Sequence, residues 1–154
     1  MTQTQNKLLE KINQDFLIAF KAKDEQKVST LRILKSALQN KEKEQGQAPD
    51  EAEIIKIIQQ EIKKCDQAIQ DFQKVNRKEL AEKEAREKII LQGYLPKQLS
   101  DQEIETIIDE IIQQTGATQI TDMGKVMGAA ITKTSGKASG EKISQLVKQK
   151  LSHA

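Results

Sequence analysis

Apolar residues recur three and four positions apart along the whole chain and no stretch alternates with period two, so the pattern predicts seven helices and no strands. Leu8, Leu9, Ile12, Phe16, Ala19 and Phe20 mark the inner stripe of the first helix, and Val28, Leu31, Leu34 and Leu38 that of the second. In the third, Ile55, Ile58, Ile62, Cys65, Ile69 and Phe72 are spaced 3, 4, 3, 4, 3, a heptad-like seam suited to packing along a neighbouring helix. Leu80, Ala85, Ile89 and Leu91 to Tyr94 carry the fourth. Ile104, Ile107, Ile108, Ile111 and Ile112 line the fifth helix, Met123, Val126, Met127, Ala130 and Ile131 the sixth, and Ile143, Leu146, Val147 and Leu151 the seventh.

The breaks between stripes carry helix start and stop chemistry. Gly46 to Pro49 separates helices two and three, and Asp50 with Glu53 reads as a capping box, as do Asn76 with Glu79 and Ser100 with Glu103. Pro96 lacks an N–H and disfavours a helical residue before it, so the fourth helix ends ahead of it. The segment Pro96 to Leu99 is therefore the expected boundary between an amino-terminal helical bundle, residues 1–96, and a small three-helix carboxyl-terminal unit, residues 97–154. The fold class expected is all-α.

Composition narrows the class further. Charged residues at 31% against 36% hydrophobic and only 3% aromatic favour thin helical layers over a thick core. The single cysteine, Cys65, has no partner for an intrachain disulfide, which fits a reducing compartment. The polar stretch Met1 to Asn6 leads straight into an amphipathic segment, unlike a signal peptide, and no apolar run approaches the ~20 residues of a membrane span. A cytoplasmic protein is expected. The net charge of +2 says little, but its distribution is uneven. Residues 99–122 hold six acids and no Lys or Arg, whereas residues 123–154 hold six lysines against the one acid Glu141.

No catalytic constellation is visible. The one histidine, His153, lies at the carboxyl terminus, where it can serve neither a zinc site nor acid–base work, and there is no phosphate-binding GxxxxGK[ST] loop. Cys65 on the apolar seam reads as a buried small hydrophobe, and the carboxylates read as solvated surface charge beside lysines. No metal and no cofactor are expected.

Two glycine-bearing segments carry the positive signal. The first, Asp122 to Gly128, opens the sixth helix after Thr121 as N-cap and holds Gly124 and Gly128 four residues apart at a cost of ~1 kcal/mol each relative to alanine. Close helix packing over that face would account for them. So would a bare backbone that lets a phosphate approach beside Lys125. The second, Gly136-Lys137-Ala138-Ser139-Gly140, ends the sixth helix with Gly136 as C-cap and starts the seventh with Ser139 as N-cap. A turn accounts for it fully, but Lys133, Lys137 and Lys142 surround an exposed helix amino terminus, an arrangement that holds anions. With no aromatics in this unit, contact with nucleic acid would be through phosphates and shape.

The segments Leu31 to Asn40, Tyr94 to Leu99, Asp122 to Gly128 and Gly136 to Gly140 resemble, in order and spacing over nearly the whole chain, those of the YqeY family. The carboxyl-terminal unit also resembles the tail domain of the B subunit of the tRNA-dependent amidotransferase (GatB), which converts misacylated Glu-tRNA(Gln) or Asp-tRNA(Asn). The resemblance implies an all-helical, two-part fold and a tail that helps hold tRNA. It also carries a family label of carbon–nitrogen ligation with glutamine as nitrogen donor, although the parts that phosphorylate the acyl group and hydrolyse glutamine have no counterpart here. The chain departs from the family pattern at Thr132, commonly proline, at Ser135, often basic, and at Ser139, often aspartate.

The expected function is a non-catalytic tRNA-binding accessory module using Lys125, Lys133, Lys137, Ser139, Gly140 and Lys142, with Gly124, Gly128 and Gly136 as structural or interface glycines. Amidotransferase subunits or another helical protein are its expected protein partners. The alternative is a helical protein–protein or dimerisation module that binds no nucleic acid.

Overall fold

The structure is a computed structural model and describes residues 6–152; residues 1–5 and His153 lie outside the described residues. Among the described residues the chain forms seven α-helices and no strand, so it is all-α. They are α1 (Lys7–Lys21), α2 (Glu25–Gln45), α3 (Glu51–Lys74), α4 (Lys78–Gln92), α5 (Asp101–Thr115), α6 (Met123–Thr134) and α7 (Gly140–Ser152), with one 3₁₀ turn at Ile120–Asp122. The chain divides into two compact units, one ending at Leu95 and the other beginning at Pro96.

In the first unit, α1 to α4 pack around Ile12, Leu31, Leu34, Leu38, Ile54, Ile58 and Leu91, aided by Tyr94. Each of these aliphatic side chains contributes roughly 1.5–3 kcal/mol by leaving water. The helix starts are tied by short polar side chains. Asn6 Oδ1 accepts the Leu9 N–H at 3.3 Å while its Nδ2 donates to the Pro49 carbonyl at 2.7 Å, which anchors the start of α1 to the loop before α3. Asp24 accepts from the Lys27 N–H at 3.2 Å and Asp50 from the Glu53 N–H at 2.8 Å.

Several local expectations yield to tertiary structure here. The Glu53 carboxylate accepts from Gln45 Nε2 at 2.9 Å, so at Asp50 only half of the expected capping box forms. Asn76 does not open α4: it sits in the left-handed region at φ 57° as part of the turn out of α3, and Arg77 takes the cap position without a side-chain bond. The inner face of α4 is Ala81, Glu87 and Leu91, whereas Leu80 and Ile89 face solvent. The seam of α3 is rotated toward Ile54, Ile57, Ile58, Glu61 and Cys65. Phe20 lies outside the core, 59% exposed.

In the second unit, α5, α6 and α7 enclose Ile104, Ile108, Ile111, Val126, Ala130, Ile143, Leu146, Val147 and Leu151. Ser100 and Glu103 form the complete reciprocal capping box of α5, and Gly116 ends that helix at φ 69°, a conformation glycine adopts without Cβ strain. Three short helices suffice because each gives its whole apolar stripe to one shared core.

Candidate functional site

The start of α6 is organised by Asp122. Its carboxylate accepts the N–H groups of Thr118 at 3.1 Å and Gln119 at 3.2 Å, and these two bonds hold it below the usual carboxylate range. The 3₁₀ turn formed in this way contains Thr121, which therefore does not serve as the N-cap expected of it. Beyond the turn, Val126, Ala130 and Thr134 point into the core. On the other side of α6, Gly124, Lys125, Gly128 and Thr132 are exposed.

A Cβ added at Gly124 or at Gly128 would meet nothing within 4 Å. Close helix packing over this face, one of the two explanations the sequence offered, is thus absent from the unit's own fold. The glycines present an open strip of backbone, with the Thr132 hydroxyl donating back to the Gly128 carbonyl at 3.0 Å.

The second segment is a tight turn braced from below. Ser135, at φ 43°, and Gly136, at φ 82°, are both left-handed, so the reversal begins one residue before the expected C-cap glycine. The Leu99 N–H donates to the Lys137 carbonyl at 2.8 Å and Gln98 Nε2 donates to the Gly136 carbonyl at 3.1 Å, pinning the turn to the segment that leads into α5. Ser139 Oγ accepts the Lys142 N–H at 3.1 Å and so caps α7. The amides of Gly140 and Glu141, in the first turn, have no acceptor within the helix.

The lysines divide into two sets. Lys133 pairs with Glu110 at 3.4 Å and Lys142 with Asp101 at 3.2 Å, both across to α5. Both pairs are solvent-exposed, so each contributes at most about 1 kcal/mol and opens readily to a competing anion. Lys125 and Lys137 make no ion pair among the described residues. Lys137, Ser139, Gly140 and Lys142 gather at the start of α7, close to the end of α6 that carries Lys133. Lys125, Gly124 and Gly128 belong to the other half of α6, with Lys125 about 12 Å from Lys133 along the helix axis. The site residues thus form two neighbouring patches on one unit.

One cluster went unread in the sequence. Glu61 and Glu87 are buried, contrary to the expectation that the carboxylates lie on solvated faces. Donor atoms of Cys65 on α3 and of Glu84 and Glu87 on α4 all lie within 4.8 Å of one another, close enough to hold a metal ion in principle. Burial, and then the Glu84 and Glu87 carboxylates, push the Cys65 thiol up to about 12, so it stays protonated and is neither a nucleophile nor a ready thiolate ligand. Burial, with Glu84 beside it, also raises Glu87, and the two carboxyl groups are hydrogen-bonded to each other. Glu61 with Cys65 and Glu84 with Glu87 each show helical spacing, but only the packing of α3 on α4 joins them.

One groove of the first unit, about 470 Å³ in volume, has several of its polar groups engaged in the fold, although Gln26 Nε2 is buried there without a hydrogen-bond partner among the described residues. Asp15 accepts from the Tyr94 hydroxyl at 2.6 Å, Asp24 caps α2, and Gln26 Oε1 accepts from Arg86 Nε at 3.3 Å.

A protein of Pyrenophora tritici-repentis named altered inheritance of mitochondria protein 41, mitochondrial, is 27% identical over 143 residues, spanning 87% of this chain and 75% of its own length. Its namesake from Vanderwaltozyma polyspora is 29% identical over 131 residues, 79% of this chain and 70% of that one. The E subunit of glutamyl-tRNA(Gln) amidotransferase from Thermococcus gammatolerans is 42% identical over 57 residues, which is 34% of this chain but 9% of that protein. Both fungal relatives are named as mitochondrial, which departs from the plain cytoplasmic setting expected above. No helix among the described residues is long and apolar enough to cross a membrane. The family model described as Yqey-like protein matches residues 9–151, nearly the full length, and the chain therefore belongs to the YqeY family.

Proposed function

We propose that the chain is a non-catalytic RNA-binding accessory module whose carboxyl-terminal unit holds the phosphate backbone of tRNA. The observation that carries the reading is the open face of α6. Two helical glycines with no packing partner, flanked by the exposed Lys125, give a phosphate-bearing strand direct access to backbone. Lys137, Ser139 and Gly140 at the start of α7 add further donors, and Lys133 and Lys142 add charge once released from their exposed partners. The partial match to an amidotransferase component named for glutamyl-tRNA(Gln) supports tRNA as the RNA class. Binding of this kind needs an aqueous compartment holding tRNA, a condition met equally by the cytoplasm and by the mitochondrial setting of the fungal relatives' names.

The test is fluorescence anisotropy of labelled tRNA against salt. About three lysine–phosphate contacts give a log–log slope of about −2 to −3, and Lys125→Ala with Lys137→Ala lowers its magnitude by about 1–2. Salt-independent association, or none, refutes the proposal.

A second reading has its own observation. Ile131, 52% exposed, lies on the face of α6 that carries the glycines, and Ile120, 47% exposed, sits in the turn that precedes the helix. Exposed apolar side chains there favour the docking of a helix from another protein, such as a component of an amidotransferase. In that case Gly124→Leu abolishes capture of the protein partner while the lysine substitutions leave it intact.

A further inference from the structure

The chain holds three phenylalanines and one tyrosine, and its cores are built from isoleucine and leucine. One of the three phenylalanines nevertheless stands exposed on the first unit, beside a second that packs partly against the core. Phe20 is 59% exposed, and Leu17 beside it is 55% exposed. The half-buried Phe16, one helical turn away, stacks with Phe20 at 6.3 Å between ring centroids and 30° between planes.

Two cations from α2 cover Phe16: Lys35 Nζ lies 4.3 Å and the Arg32 guanidinium 5.9 Å from its ring centroid. Neither makes an ion pair among the described residues. The result is an aromatic ledge, open on the Phe20 side and backed by two uncompensated positive charges. Arg32 and Lys35 fall within the segment Leu31 to Asn40, which the tail's proposed role leaves unused.

We propose that this ledge is a stacking site for an unpaired nucleotide of single-stranded RNA. The base lies on the exposed ring of Phe20 against Leu17, and Arg32 and Lys35 meet the flanking phosphates. The charge selects the occupant. A second copy of this chain would bring the same two cations and be repelled, and an apolar protein surface would bury them without partners, whereas a nucleotide supplies both a flat ring and the anions. The inference extends the RNA reading of the tail, which has no Phe, Tyr or Trp.

The test uses the full chain with two labelled probes in anisotropy, an oligoadenylate of about twelve nucleotides and a blunt RNA duplex. Phe20→Leu keeps the apolar surface and removes the ring. It is expected to weaken oligoadenylate binding by about 5- to 100-fold and leave duplex binding unchanged, while Phe20→Trp retains or tightens it. Arg32→Gln with Lys35→Gln, at positions outside the core, flattens the salt dependence for the same probe. The tail substitutions Lys125→Ala and Lys137→Ala separate the two readings: they weaken duplex binding and leave the ratio between wild type and Phe20→Leu on oligoadenylate as it was. Equal oligoadenylate affinity for wild type and Phe20→Leu, no oligoadenylate binding at all, or a Phe20 dependence confined to binding of an acidic peptide would each overturn the stacking site, whatever the duplex result.

Discussion

Replacing Gly124 and Gly128 by alanine should stabilise the protein and weaken its hold on RNA, two effects of opposite sign from the same atoms. Neither glycine has positive φ, and a methyl group at either position meets nothing within 4 Å, so neither backbone strain nor a clash opposes the change. Gly128 is a helix-interior residue, where alanine is favoured by about 1 kcal/mol. Gly124 is the second residue of α6, where the amides are not yet committed to helical bonds, and its gain is about half as large. The Thr132 hydroxyl bonds the Gly128 carbonyl, which alanine retains, so nothing is subtracted there. The double variant should gain about 1.5 kcal/mol. With an m-value of roughly 1–3 kcal/mol/M, the urea midpoint read by circular dichroism moves up by about 0.5–1.5 M. Leucine has nearly alanine's helix propensity, so Gly128→Leu should keep most of the gain while projecting a bulkier side chain over the strip and lowering tRNA affinity at least tenfold. A lower midpoint for the double alanine variant would refute the claim that the face is open. A raised midpoint with unchanged tRNA binding by Gly128→Leu would refute its use as a backbone contact for RNA.

Other outcomes follow from the first unit and from the start of α5. The Glu87 carboxyl is raised by burial first and by Glu84 second, so its contribution to stability is fully present below its unfolded value of about 4.3 and is lost as pH rises through the higher folded value. Glu87→Gln should therefore raise the urea midpoint at about pH 7.5 relative to wild type and change it little at about pH 4; a pH-independent difference would contradict this. Cys65, with its thiol pushed up to about 12, should react with a disulfide reagent at about pH 8 only on unfolding, so native labelling as fast as that of a free thiol would show the buried placement to be wrong. Tyr94→Phe removes the 2.6 Å bond to Asp15 and should cost about 1–2 kcal/mol in the same urea assay, against no change if that contact carries nothing. Ser100→Ala should cost about 1 kcal/mol by opening the capping box of α5, a loss that Ser100→Asp would largely avoid.

The helix count, the Ser100 capping box and the core of the second unit were legible because each is fixed by residues close in sequence. Ile104, Ile108 and Ile111 repeat at helical spacing, and a short helix with one apolar stripe has only one way to bury it. Asn76 and Thr121 misled because Asn and Thr suit several local conformations, and the choice among them belongs to the chain reversal. At Asn76 that reversal needed a left-handed residue, and at Thr121 the Asp122 carboxylate, by accepting the Thr118 and Gln119 amides, closes a 3₁₀ turn with Thr121 inside it. The α4 face was misread for a different reason. Ile89 and Leu80 are apolar but exposed, while Glu87 is polar but buried, and only the approach of α3 with Cys65 and Glu61 determines that exchange.

These exceptions fall into two kinds, and the distinction bears on function. Glu87 breaks the polar-outside rule, yet its neighbours account for it, because a carboxyl group raised by burial and hydrogen-bonded to Glu84 next to a neutral thiol tolerates the core. Gly124 and Gly128 break local rules with no such compensation among the described residues, and Phe20 has only its stacking on Phe16. The glycines give up helix stability and gain no packing, and Phe20 leaves most of its ring in water in a chain with few aromatics. A contact outside the fold, of the kind proposed for the tail and for Phe20, would recover such costs. The two exposed features differ as their proposed roles require. The tail offers bare backbone and lysines, which suit phosphates of any sequence, and the first unit offers a ring beside unpaired cations, which suits a base that has left its stack.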